Sequence, residues 1–188
     1  MVSAISSEAA MQSDFFDGEQ IDTIYFGGGT PSLLSLKDIG ILMESLNKHF
    51  SIAPHAEITL EANPDDVTEV LLKGWKSAGI NRISMGVQSF YEEELLWMNR
   101  AHNSLQADES IAMVLKHFDN LTIDLIYGSP LLTDEMWEQN VSKALAYGIP
   151  HLSCYALTVE EKTPLFKHIN QQKKLLWIAT GRPINFYC

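Results

Sequence analysis

Five short stretches of this 188-residue chain carry side chains suited to holding a ligand. In Tyr25-Phe26-Gly27-Gly28-Gly29-Thr30-Pro31-Ser32, three glycines precede a hydroxyl. Such a run lets a ligand approach the backbone and exposes N–H and C=O groups; it also suits a tight turn. No Lys follows, so it is not the phosphate-binding P-loop. Glu61 ends an apolar run, and Asp124 interrupts another, Ile123-Asp124-Leu125-Ile126. A carboxylate there is costly unless it is paired structurally or binds something, and for Asp124 both readings stand. Gln88 offers an amide that donates and accepts. Arg100 can clamp a carboxylate with its planar fork, or lie on the surface. Together these groups suit a zwitterion with a cationic centre, a carboxylate and hydroxyls, such as an amino-acid-containing nucleotide. Two carboxylates would repel phosphate.

The elements that must present these groups alternate along the chain. Residues 21–26, 57–61, 82–87, 121–126 and 151–155 are short β-branched or apolar runs and read as strands. Helical spacing runs over 36–50, where Leu36, Ile39, Leu42, Met43, Leu46 and Phe50 recur on one face. Further helices are expected over 2–16 (Val2, Ile5, Ala9 and Phe16 inward), 66–78, 91–98, 105–117 and 134–147. Repeated strand–helix units predict a parallel sheet whose function sits at the C-terminal strand ends. A full (β/α)8 barrel needs ~250 residues, so a doubly wound sheet or a partial barrel is expected. The opening helix reads as the second half of a unit whose strand is absent.

Composition narrows the function classes. Hydrophobic residues make up 46% and charged residues 20%, which fits a globular chain rather than a disordered one. Thirteen Lys+Arg face 24 Asp+Glu, a net charge of -11. That balance argues against sequence-independent nucleic-acid binding and against an anionic membrane surface. No basic region leads into an apolar stretch, and no run reaches the ~18 apolar residues of a membrane span, so a cytoplasmic location is expected. The two cysteines, Cys154 and Cys188, cannot make a disulfide framework or a complete Cys-based metal site. Cys154 reads as a core thiol.

Five motifs in one order carry a resemblance. They are Tyr25 to Ser32, Ile58-Thr59-Leu60-Glu61-Ala62-Asn63-Pro64, Arg82-Ile83-Ser84-Met85-Gly86-Val87-Gln88-Ser89-Phe90, Ile123-Asp124-Leu125-Ile126-Tyr127-Gly128 and Leu152-Ser153-Cys154-Tyr155-Ala156-Leu157-Thr158-Val159-Glu160. Over residues 1–168 the chain resembles the radical S-adenosylmethionine (SAM) family of oxygen-independent coproporphyrinogen III oxidases and their haem-chaperone relatives. The stretch 158–165 is most similar to the haem-chaperone branch. The resemblance implies an α/β fold, a partial (β/α)6-type radical SAM barrel. It places Gly28, Gly29 and Thr30 against the methionyl part of SAM. Glu61 and Arg100 would hold its charged groups, and Gln88 and Asp124 would contact hydroxyls or amine.

The family also holds a [4Fe–4S] cluster on a Cys-x-x-x-Cys-x-x-Cys loop, and this sequence contains none. The expectation is a chain lacking the family's first strand and cluster loop, with no metal ligands and no catalytic residue identified. Such a chain would be inactive alone, its strand at 21–26 a bare sheet edge. Haem or porphyrin is the partner implied for the complete protein. Oxidative decarboxylation of coproporphyrinogen, or non-catalytic SAM binding, are the alternatives. The six histidines, His49, His55, His102, His117, His151 and His168, fall in no pattern that marks a haem ligand and read mostly as surface or loop residues. Residues 169–188 are expected to form an irregular tail outside the resemblance.

Overall fold

A computed structural model describes residues 1–158, 162, 163, 166 and 167. The expected tail at 169–188, Cys188 and His168 lie outside the described residues, as does most of the 158–165 stretch. The strands are β1 (Gln20–Phe26), β2 (Ser51–Ala62), β3 (Arg82–Gln88), β4 (Leu121–Tyr127) and β5 (His151–Ala156). The helices are α1 (Val2–Met11), α2 (Leu36–His49), α3 (Glu69–Ser77), α4 (Glu92–Trp97), α5 (Ser104–Leu115) and α6 (Asp134–Ala146).

Neighbouring strands are all parallel and lie in the order β1-β2-β3-β4-β5. That order decides between the two expected architectures. Right-handed crossovers that always step the same way lay every helix on one face, whereas a doubly wound sheet needs a reversal of direction. The sheet is therefore a curled half-barrel, helices outside and a concave face inside.

Local chemistry explains where the helices begin. Ser35, Thr68 and Thr133 each precede a helix and accept a backbone N–H three residues on. Asn103 and Gln106 form a reciprocal capping box at α5. The expected helix over 66–78 divides: a 3-10 turn at Pro64–Asp66, then α3 from its Thr68 cap. Proline before the first turn and the Thr68 hydroxyl set that break.

The two faces of the sheet differ in kind. The outer face buries Leu60, Ile83, Met85, Leu121, Ile123 and Leu125 completely beneath the helices. Full burial of such a side chain contributes roughly 1.5–3 kcal/mol. The concave face is polar. Arg82 lies across its floor, donating from Nη1 to Glu57 at 3.1 Å and Thr59 at 3.2 Å, and from Nη2 to Thr122 at 2.6 Å. One guanidinium thus ties β2, β3 and β4 together.

Three expectations are corrected at the margins. The first helix ends at Met11, and none of its residues is buried. Ile5 and Phe16 remain 43% and 42% exposed. The cause is that β1 is the edge of the sheet among the described residues, so α1 packs on α2 beside an apolar groove of about 670 Å3. Cys154 is exposed, not a core thiol, because β5 is the opposite edge among the described residues. His102, read with the other histidines as a surface or loop residue, lies in the loop between α4 and α5 but is only 3% exposed. Among the described residues no helix is long and apolar enough to cross a membrane.

Candidate functional site

The glycine loop after β1 is shaped by its neighbour on β2. Glu61 accepts the Tyr25 hydroxyl at 2.8 Å and the Gly28 N–H at 3.2 Å. Gly28 and Gly29 have φ of 78° and 65°, the left-handed region that glycine enters without strain. At Gly27 a Cβ would come within 2.6 Å of the Tyr25 ring and 3.2 Å of Glu61 Oε1. The loop therefore needs glycine for close approach as well as for its turn.

Strand β3 carries the second part. Its register with β4 slips between Met85, opposite Ile123, and Gln88, opposite Leu125. That is one extra residue on β3, a bulge of the kind that re-aims side chains next to sites. Gln88 follows with φ of 69°, unusual for a residue with a Cβ. Arg100 reaches over β3, where its Nη2 donates to Asn63 Oδ1 at 3.0 Å and to the Gly86 carbonyl at 3.3 Å. A Cβ at Gly86 would meet Gln88 Nε2 at 2.9 Å and Arg100 Nη2 at 3.4 Å. The Nε of Arg100 is buried and has no hydrogen-bond partner.

Asp124, half-buried on the concave face of β4, sits opposite Ser153 of β5. Burial raises its pKa, a hydrogen bond from Ser153 opposes that, and the nearby Glu61 charge adds to the rise. Burial also raises the Tyr25 pKa, and its hydrogen bond to Glu61 reinforces the shift.

These groups enclose a polar cavity of about 180 Å3 at the C-terminal ends of the strands. Gly29, Thr30, Glu61, Gln88, Arg100 and Asp124 all line it. Gly28 does not; it lines the adjoining apolar groove, its N–H held by Glu61. Glu61 and Arg100 make no ion pair with each other among the described residues, so each presents charge to the cavity separately. Two carboxylates and one guanidinium complement a ligand carrying both signs. The wall also contains Asn63, Ser84 and Gly86, which the sequence reading did not single out. Their signal was the two-residue alternation of a strand: Asn63 lies two beyond Glu61, and Ser84 and Gly86 precede Gln88 by four and two. Among the described residues no group of three His, Cys, Asp or Glu side chains is placed to hold a metal ion.

Comparison with known proteins agrees with this fold. A family profile described as the Radical SAM superfamily matches residues 7–144. A protein of Synechocystis named "Heme chaperone HemW" is 36% identical over 187 residues, covering 99% of this chain and 45% of its own length. A Lactococcus lactis protein of the same name is 37% identical over 160 residues, covering 85% of this chain and 41% of its own. The chain thus spans less than half the length of these curated relatives. The solved structure of coproporphyrinogen III oxidase (HemN) from Escherichia coli, described as a radical SAM enzyme, superimposes with a TM-score of 0.75 at 25% identity. That match covers 92% of this chain and 44% of the oxidase.

Proposed function

Because the chain belongs to the Radical SAM superfamily, we propose that it binds SAM in the cavity at its strand ends and serves haem or porphyrin metabolism in the manner of a haem chaperone. The observation that carries this reading is the convergence of Gly29, Thr30, Glu61, Gln88, Arg100 and Asp124 on one small polar cavity.

The donor set fits SAM. Its sulfonium and ammonium are cationic, and Glu61 and Asp124 supply the opposite charge in a half-buried setting where Coulomb terms exceed their value in water. The unpartnered Nε of Arg100 is a donor in want of an acceptor, which the carboxylate provides. Gln88, which lines the cavity, offers its amide to ligand hydroxyls. Loss of a Cβ at Gly27 and Gly86 keeps the approach open. Bound there, SAM supplies a sulfonium whose C–S bond radical SAM chemistry breaks with an electron from a [4Fe–4S] cluster. The chain's own residues do not fit that cluster. It takes three or four thiolates, and the sequence holds two cysteines, one of them exposed on β5. This chain by itself therefore binds the ligand without cleaving it.

The 36% and 37% identities to proteins named haem chaperones, against 25% to the oxidase, support the chaperone reading over oxidative decarboxylation. The free Cys154 thiol suits the reducing cytoplasm, where we place this work. Titration calorimetry with SAM tests the site: saturable heat is expected, lost in Asp124→Ala, and its absence in the wild-type chain overturns the proposal. Anaerobic reconstitution tests the cluster statement, and a stoichiometric brown [4Fe–4S] spectrum would contradict it. A saturable shift of the haem Soret band on titration, not suppressed by competing coproporphyrinogen, separates chaperone from oxidase.

A further inference from the structure

We propose that His102 and Glu94 are positioning residues, two buried side chains that hold Gln88 in a strained turn and so aim its amide into the cavity. Only the identity of the ligand rests on the SAM reading.

The turn is visible in the backbone. The Ser89 N–H donates to the Val87 carbonyl at 2.9 Å, across a single residue, and that residue, Gln88, has φ of 69°. This is a γ-turn of the left-handed kind, which is rare and strained. Such strain persists only where the surroundings over-determine it. A position needed for the turn alone would carry glycine. Here the side chain is kept, and it lines the cavity.

Two clamps flank the turn. On one side, His102 Nε2 lies 3.0 Å from the same Val87 carbonyl. A carbonyl only accepts, so Nε2 carries the proton. In the neutral ring Nδ1 is then bare; it is buried without a hydrogen-bond partner, 3.8 Å from Asp65 Oδ1. Burial keeps the His102 pKa below its ordinary value, which favours this neutral form.

On the other side, hydrogen bonds converge on Glu94. The Ser89 hydroxyl oxygen accepts the Tyr91 N–H and the Asn140 Nδ2, both at 3.2 Å. With both lone pairs taken, its O–H must donate, and it does so to Glu94 Oε2 at 2.8 Å. Asn140 cannot flip, because its Oδ1 accepts the Phe90 N–H at 2.9 Å. The Ser129 hydroxyl closes on the other oxygen of Glu94. Ser89, Glu94 and Asn140 are all 0% exposed. Glu94 thus joins the exits of β3 and β4, the strands that carry Gln88 and Asp124.

The test reads Gln88 directly by NMR of the uniformly 15N-labelled 188-residue chain. In His102→Ala and Glu94→Ala the HN–Hα coupling of Gln88 is expected to move to that of an ordinary extended residue, with new positions for its side-chain amide peaks. Glu94→Gln is expected to keep the wild-type values: its carbonyl can accept from Ser89 while its NH2 donates to Ser129. Adding Gln88→Gly to Glu94→Ala is expected to recover melting temperature, since glycine holds the turn without strain. SAM affinity is expected to weaken about tenfold in the two alanine variants, the worth of one well-placed hydrogen bond, and to stay unchanged in Glu94→Gln. If Glu94→Ala does not fold, His102→Ala and Ser129→Ala carry the measurement. Unchanged Gln88 coupling in His102→Ala and Ser129→Ala overturns the proposal. If the wild-type chain takes up no SAM, the ligand reading falls while the coupling still decides the positioning.

Discussion

Strands β1 and β3 are built from the same kinds of residue, yet they live in different solvents. Both are seven residues long; β3 alternates apolar with polar side chains throughout, and β1 does so from Thr23 onward, past a shift of register at Ile21 and Thr23. In β3, Ile83, Met85 and Val87 are all 0% exposed. In β1 nothing is buried. The difference lies in the neighbours. β3 is paired on both sides and roofed by helices, while among the described residues β1 is paired on one side and borders an open groove. Burial is a property of the surroundings, and apolar side chains on a strand yield about 25 cal/mol per Å2 only where something covers them.

The sharpest way to break this comparison is a truncation at each place. Ile83→Ala, in the fully buried strand, is expected to lower stability by roughly 2–5 kcal/mol in urea denaturation. Ile24→Ala, half-buried on β1, is expected to cost about 1 kcal/mol. Equal losses would mean that β1 is covered in solution. Next in size is Gly86→Ala. Its Cβ would crowd Gln88 Nε2 and Arg100 Nη2, so SAM affinity by calorimetry is expected to drop about tenfold or more, with a smaller loss of stability. Unchanged affinity would show that these two side chains move aside freely.

Asp124 offers a pH test of the concave face. Burial raises its folded-state pKa, so it contributes stability below the ordinary value of 3.8 that is lost as pH rises through the raised native value. Asp124→Asn removes that dependence. Its urea midpoint is expected to gain on the wild type as pH climbs across this window, and parallel curves would contradict the assignment. The smallest effect is expected at the open edge. Thr23→Lys, on the exposed part of β1, is expected to leave the melting temperature unchanged and to reduce self-association measured by light scattering.

Much of the site was legible in the residue types. Glu61 and Asp124 stood out because a carboxylate in an apolar run asks for a partner, and three glycines before Thr30 marked a backbone that something approaches. Asn63, Ser84 and Gly86 were within reach of the same reasoning, being one or two strand steps from residues already chosen. His102 and Glu94 were not. Nothing local distinguishes a histidine after Arg100 or the third glutamate of Glu92-Glu93-Glu94 from surface residues. Their meaning comes from partners brought near by the fold: Val87 for His102, Ser129 for Glu94. The same holds for Cys154, whose apolar neighbours on β5 suggested a core that the edge position does not supply.

By itself, then, the amino-acid order determined the alternation of strand and helix, the caps, the glycine loop and the identities of the cavity's charged groups. These follow from the period of two along a strand, the period of 3.6 along a helix and the chemistry of single side chains. The direction of winding, the exposure of α1 and β5, and the strained turn at Gln88 were decided only by tertiary structure. Each depends on which strand lies beside which, and on hydrogen bonds such as Phe90 to Asn140 that close across 50 residues of chain. No local period encodes such a contact; it forms only when parallel crossovers bring the two segments to the same end of the sheet.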